Sequence, residues 1–546
     1  MNTYMIRMAK KIEKAAMKSS GIDFIRLGFA LFFLVAVLTY SFLSSGHIPN
    51  NMFLAIAALF GAYMAMNIGA NDVANNVGPS VGSKALTMGG AIVIAAIFEA
   101  GGAFIAGGDV VTTIKKGIID INAFGTNVDP FIWAMIASLL AAALWLNFAT
   151  MMKAPVSTTH SIVGGVMGSG IAAAGFTIVS WSTMGQIAAS WVISPILGGV
   201  IAALFLYTIK RTIIFQNDKV AAARKWVPIY VAIMTWAFVT YLTLKGLKNI
   251  WPSIVDILLF LPDEKKPSFL TASIFGFIVA GIVYIVLRKT VATRATNLHN
   301  TRDSINLLFT VPLIFAAALL SFAHGANDVA NAIGPLAAIN DAVITGGISA
   351  KAGIPLWVMA VGALGIALGL ALYGPKLIRT VGSEITELDQ MRAFSVAIAA
   401  AITVIIASQL GLPVSSTHIA VGGIFGVGFL REYLESTGQV ERVEKQQINI
   451  VDEKKVLKAY SSELKTLEDK VDKTKVDYER IVDLYKAIDK EEDRIKAAKK
   501  HIKSIEKVKY VKRDAVKKII TAWLITVPAS AVLSAAIFFM IKGIVL

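Results

Sequence analysis

Two acids stand in matching apolar settings: Asp72 within GANDVANNVGP (residues 69–79) and Asp328 within GANDVANAIGP (residues 325–335). Each ends an apolar run, where an unpaired carboxylate is costly and is normally kept for function. Amide oxygens flank both, from Asn71 and Asn75 in the first run and from Asn327 and Asn331 in the second. Carboxylate, amide and carbonyl oxygens are hard ligands, suited to Na⁺ and unsuited to softer metals. The plainer reading of each acid is a cap on the helix that follows.

A second pair of runs offers the opposite chemistry. Ser157, Thr158 and Thr159 follow Pro155 in PVSTTHSIVGG (155–165), and Ser415, Ser416 and Thr417 follow Pro413 in PVSSTHIAVGG (413–423). Free N–H groups and the dipole at a helix start attract anions, and hydroxyls there add further donors. Ordinary N-capping would explain one such run; two of them facing one midplane favour an anion site. His160 and His418 recur in step, as residues that orient the hydroxyls, relay protons or sit hydrogen-bonded in the core. Glu99 lies mid-span in IAAIFEAGG, a candidate for ion coupling or gating. The matching VGALGIALG has no acid, so any role of Glu99 is asymmetric. His324 has Ile68 as its counterpart and stands outside the symmetric core.

These residues imply a membrane around them. Of 546 residues 56% are hydrophobic and 16% charged, against about 25% charged in soluble domains. Of the 88 charged residues, 43 fall between Arg431 and Lys518, leaving an apolar body long enough for a dozen crossings at about 20 residues each. Apolar runs occupy 24–43, 51–68, 85–107, 130–152, 155–174, 182–208, 226–246, 269–288, 306–324, 355–373, 390–410, 413–430 and 519–545. The segments opening at Pro155 and Pro413 are short and Gly-rich, which suits re-entrant hairpins as well as spans.

Lys210, Arg211, Lys219, Arg224 and Lys225 lie in one connection and Arg288, Lys289, Arg294 and Arg302 in another, two crossings away. The basic-loop bias places both in the cytoplasm, with the N-terminus and the charged insert, and the C-terminus outside a cell membrane. The formal charge of +16 follows from that bias, so the expected surroundings are the lipid bilayer and not nucleic acid. With no cysteines, disulfides, thiolate metal sites and cysteine nucleophiles are excluded. The basic start from Met1 to Arg26 runs straight into a spanning stretch without a clear cleavage site.

The motifs also recur in order: Asn71 to Pro155 spans 84 residues and Asn327 to Pro413 spans 86. By the crossing count the helix entering Asn71 runs inward and the one entering Asn327 outward. Such inverted repeats build secondary transporters whose substrate site lies where broken helices meet near the midplane. Each GANDVAN run is expected to supply the break.

At these residues the sequence resembles the inorganic phosphate transporter family, whose hallmark is a duplicated GANDxANxxGP-type signature with a PxSxTH segment later in each half. The resemblance covers roughly residues 51–208 and 306–430 and the last span. It implies twelve spans in two inverted halves, inorganic phosphate carried with Na⁺ or H⁺, and a homodimer. It implies that Asn71, Asp72, Asn75, Asn327, Asp328 and Asn331 surround cation and phosphate, and that the hydroxyls at 157–159 and 415–417 surround the anion. Glu99 is similar to a family acid. Three features depart from the pattern. The helix at 24–43 is additional; FSVAIAAAITV, before the second PxSxTH motif, has Ala397 where an acid is looked for; and the charged insert precedes the last span.

Within that insert Leu464, Leu467, Val471, Tyr478, Ile481, Tyr485, Ile488, Ile495 and Ile502 follow three- and four-residue steps, interrupted by Thr474, Glu492 and Lys499. An antiparallel hairpin turning near 488–493 is expected, and its partner is unknown.

The reading is an all-α integral membrane protein of about 12–13 transmembrane segments, with two inverted-topology repeats, broken or re-entrant helices and a cytoplasmic helical hairpin. Its parts are a basic segment and extra helix (1–50), the first repeat (51–208), connecting helices (209–305), the second repeat (306–430), the hairpin (431–518) and a final helix (519–546). It is not an enzyme; it imports phosphate by cation symport with alternating access, Na⁺ being favoured over H⁺ and no other cofactor being needed. HPO₄²⁻ has a proton to donate to Asp72 or Asp328, whereas sulfate has none. A sulfate permease on the same scaffold is the nearest alternative. A metalloenzyme built on His324, Asp328, Glu99, His160 and His418 is further away, since a catalytic metal needs one open cluster without a symmetric copy.

Overall fold

The computed structural model describes residues 2–545 apart from 47, 49–50, 126, 153–155, 249, 258–263, 348–353, 385–387, 471 and 507–512. Among these the chain is helical, with one isolated bridge between Ile119 and Val179. Helix α1 (Asn2–Ser44) precedes a first half made of α2 (Asn51–Asn71), α3 (Val73–Gly82), α4 (Met88–Ala106), α5 (Gly108–Lys116), α6 (Asp129–Met151), α7 (Thr158–Ala174) and α8 (Trp181–Ile209). Connecting helices follow: α9 (Lys219–Gly246), α10 (Trp251–Ile257), α11 (Phe269–Ala295) and α12 (Arg302–Leu307). The second half holds α13 (Thr310–Thr345), α14 (Leu356–Glu384), α15 (Gln390–Gln409) and the start of α16 (Ser416–Glu468), then, after α17 (Lys475–Glu506), the final α18 (Arg513–Val545).

Local sequence sets many of the starts. Thr87, Ser157, Asp218, Ser268, Thr301 and Asp389 each accept a backbone N–H from the first turn they cap. Eleven helices among the described residues are long and apolar enough to cross a membrane. The two remaining apolar segments are those after Pro155 and Pro413, and the bridge decides what the first does. Asp120 donates to the Ile178 carbonyl and Ser180 to that of Ile118, so the ends of α5 and α7 share one face. Because α6, 23 residues long, leads from that face to the other, the chain returns through α7. That helix has 17 residues and follows an extended Ser157.

The breaks are not where the motifs suggested. At the first GANDVAN run only Asp72 leaves the helix, and α2 and α3 read as one 32-residue span. The second run lies inside α13, a continuous helix of 36 residues. Asp and Asn disrupt a helix by binding nearby backbone, and here most of those side chains are engaged by other helices. The true interruptions precede α7 and α16, where a proline disfavours helix in the residue before it and has no N–H to give. Pro155 itself lies outside the described residues.

The halves exchange arms. Gly69 of α2 lies against the Ile366 carbonyl of α14, and Gly325 of α13 against the Glu99 carbonyl of α4. Gly164 of α7 abuts Val527 of α18, while Gly422 of α16 abuts Pro195 of α8. At each of these positions a Cβ would meet backbone, which is why small residues sit there. Burial is deepest in α13 and α15, whereas α1, α8 and α11 present their large apolar residues outward, as lipid-facing helices do.

Residues 428–512 form a separate unit. It is a hairpin, but the turn falls between Glu468 and Lys475 instead of at 488–493. Thr474, an interruption of the heptad pattern, is the cap of α17: its N–H and hydroxyl donate to Asp477, whose own N–H donates to the Thr474 hydroxyl. Arg480 pairs with Glu463 through two contacts of 2.8 and 3.2 Å, and Leu464, Leu484 and Ile495 are buried. Val471 and the side chain of Ile502 lie outside the described residues.

Candidate transport site

Both acids and most of the hydroxyls meet in one buried cluster. Asp72 accepts from the Thr158 hydroxyl at 2.6 Å and from Thr417 of the other half at 3.0 Å. Asp328 accepts from Ser416 at 3.0 Å. Asn75 donates across the halves to Thr417 at 2.9 Å, and Asn331 donates back to Thr158 and Thr159 at 3.2 and 3.1 Å. The repeat is thus visible in the bonds: Asp72–Thr158 mirrors Asp328–Ser416, and Asn75–Thr417 mirrors Asn331–Thr159. All these side chains are at most 1% exposed.

The other two amides are held from behind. Asn71 donates to Thr150 at 2.9 Å. Asn327, with its amide oriented to satisfy both ends, accepts from Ser408 at 2.9 Å and donates to Asp328 at 3.1 Å. Thr150 and Ser408 occupy equivalent places, eight residues before Thr158 and Ser416. Ser157 and Ser415 accept the backbone N–H of His160 and His418 at 3.1 and 3.2 Å; their hydroxyls cap the helices while their neighbours face the acids. The amide oxygens of Asn75 and Asn331 are buried with no donor among the described residues, a matched pair of hard ligand atoms.

Glu99 enters the same cluster, and it brings His324 with it. The His324 ring nitrogens lie 2.5 Å from Glu99 Oε2 and 2.7 Å from Asp328 Oδ2, with Asp72 Oδ2 at 3.9 Å. Asn76 donates to Glu99 at 2.7 Å. His324, which the repeat had set aside, therefore sits at the centre, and its asymmetry was itself the signal. Across the repeat Asn76, Glu99 and His324 correspond to Ala332, Ile366 and Ile68, by the motif register and by the paired packing of Gly325 on Glu99 and Gly69 on Ile366. Three polar departures from the repeat converge on one chain of contacts.

His160 and His418 are elsewhere. They form a column in which Trp191 meets His160 edge-on at 3.7 Å, His160 meets His418 at 4.4 Å and His418 stacks on Trp523 at 3.6 Å. Their ring nitrogens have no hydrogen-bond partner among the described residues. Imidazole does not orient the hydroxyls, and the histidines do not join the acids as a metalloenzyme reading would require.

A cavity of about 790 Å³ bordered by Tyr63, Asn67, Asn147, Thr150, Tyr373 and α1 reaches the partner of Asn71. Opposite, Thr113 of α5 donates to the Gly411 carbonyl at 2.7 Å and Trp191 to that of Pro413 at 3.3 Å, fixing the chain that leads into α16.

Known proteins share this architecture. A family model described as the phosphate transporter family matches residues 68–534. A protein of Helicobacter pylori described as "Putative phosphate permease" is 48% identical over 98% of both chains. One of the same description from Pyrococcus furiosus is 40% identical over 69% of this chain and 87% of its own. Among solved structures, one described as the sodium-dependent phosphate transporter is similar with a TM-score of 0.69 and 29% identity, covering 90% of this chain and 99% of that one.

Proposed function

Because the chain belongs to the phosphate transporter family, and is a multi-pass membrane transporter and not an enzyme, we propose that it imports inorganic phosphate by Na⁺ symport with alternating access. The observation that carries this reading is the single buried cluster in which Asp72 and Asp328 are each bonded by hydroxyls from a proline-opened helix start. Phosphate sits between the starts of α7 and α16, where Thr158, Thr159, Ser416 and Thr417 supply hydroxyls and the helix ends supply N–H groups. Na⁺ is held by Asp72 with Asn71 and Asn75, and by Asp328 with Asn327 and Asn331. The two acceptor oxygens of Asn75 and Asn331 support that assignment, because a hard cation is the partner such oxygens lack. The cations offset the carboxylates and allow a divalent anion to approach; the cavity beside Thr150 serves as the cytoplasmic path.

A second coupling ion has its own support. His324 set between Glu99 and Asp328 is a proton-accepting centre in the same cluster, which favours H⁺ if Na⁺ proves dispensable. Uptake of labelled phosphate into proteoliposomes under imposed Na⁺ or H⁺ gradients separates these readings, with sulfate and arsenate as competitors. Na⁺-driven uptake inhibited by arsenate and not by sulfate is expected; indifference to both gradients would remove symport.

A further inference from the structure

An apolar groove runs along the outside of the transport body, between the α9–α11 hairpin and helices α4 and α13. Its main part has a volume of about 420 Å³, walled by Val231, Met234, Phe238, Val283, Leu287 and Phe315. A smaller part of about 60 Å³ shares Val231, Leu287 and Phe315 with it, continues along α9 and α11, and reaches Thr290 and Arg294. The two make one concavity, apolar along its length and cationic at one end. That end is the basic one of the hairpin, where Arg224, Lys225, Arg288 and Lys289 cluster and Lys225 lies 5.8 Å over the Trp226 ring, a pairing typical of a membrane–water interface.

Most lipid-facing surface is convex and exchanges lipid freely. Here the wall is hollow along the spanning helices α9, α11 and α13, and its cationic end lies toward the basic end of the α9–α11 hairpin. The geometry points to a bound anionic glycerophospholipid, one acyl chain lying in the groove and its headgroup phosphate against Arg294. Charge complementarity fixes the class: basic pockets between spans on the cytoplasmic side recruit anionic headgroups. Burial of the acyl methylenes supplies the rest. Phe98 also lines the groove, one residue from Glu99, so the lipid lies behind the wall of the transport site without touching it.

The test is native mass spectrometry of the full chain released from nanodiscs of phosphatidylcholine and phosphatidylglycerol in equal parts. The wild type is expected to retain phosphatidylglycerol in preference to phosphatidylcholine. Val283→Trp, which fills the groove, lowers retention of both lipids by about tenfold, and Arg294→Gln removes the preference by a similar factor. Arg294 is exposed, so the second variant keeps the fold and the answer does not depend on the first. Equal retention of the two lipids by wild type, or an undiminished preference in Arg294→Gln, would overturn the proposal. Release of phosphatidylglycerol by free inorganic phosphate at millimolar concentration would do so as well, because a phosphate-only site owes nothing to the chain.

Discussion

Asp72 gathers hydroxyls from both halves, whereas Asp328 is tied to Ser416 and to His324. Replacing Asp72 or Asp328 by Asn keeps the size and removes the charge that holds a cation. Gradient-driven phosphate uptake should fall at least about tenfold in each variant; uptake preserved in both would exclude them from coupling. The polar chain Asn76–Glu99–His324 allows a sharper experiment, because the repeat-related position of each shows what the same place holds when only packing is required. The triple change Asn76→Ala, Glu99→Ile and His324→Ile copies Ala332, Ile366 and Ile68. It should leave a monodisperse protein with a melting temperature close to wild type, and coupled uptake reduced by about two orders of magnitude. A variant that still transports would make the chain a packing feature.

Helices here are positioned by backbone approach as much as by side chains. Gly69 and Gly325 face carbonyls across the exchanged arms, so Gly325→Ala should cost about 1–3 kcal/mol and lower the melting temperature in detergent. Gly89→Ala, where nothing lies within 4 Å of the added methyl, should be neutral. In the hairpin, bonds from Lys470, from the Thr474 backbone and from the Thr474 hydroxyl hold the Asp477 carboxyl down to about 2, below its ordinary 3.8. A depressed carboxylate contributes stability above its unfolded value and loses it as pH falls through the folded one. Hydrogen-exchange protection of the first turn of α17, corrected for intrinsic rates, should therefore be flat from pH 7 to about 5 and decline toward about 2. Asp477→Asn should lower it at neutral pH, and equal protection in both proteins would deny the cap its role.

Over the whole chain, the absence of cysteine makes access directly measurable. A cysteine replacing Asn147, on the wall of the 790 Å³ cavity, should react with a membrane-impermeant thiol reagent supplied from the cytoplasmic side. One replacing Thr113, toward the opposite face, should not. Na⁺ and phosphate together should change both rates if the halves alternate, and unchanged rates would contradict a rocking motion. Every residue of the cluster lies outside the unit formed by residues 428–512.

Composition and the two repeated motifs were enough to determine a helical membrane protein built twice, and to select the acids, amides and hydroxyls that meet in its centre. Those facts are local: residue type, apolar period and spacing carry them. Where the chain actually breaks was not legible in the same way, because Asp and Asn interrupt a helix only when their side chains are free to turn on the backbone, and partners 23 to 345 residues away decide that. The heptad count likewise placed the hairpin turn too late, since it treated Thr474 as a flaw instead of a cap. The exchange of arms between halves, the meeting of Glu99 with His324 and the groove beside α9 arise from contacts between segments far apart in sequence. Only the packed structure brings them together, and with them the asymmetry that a duplicated sequence alone presents as three unrelated exceptions.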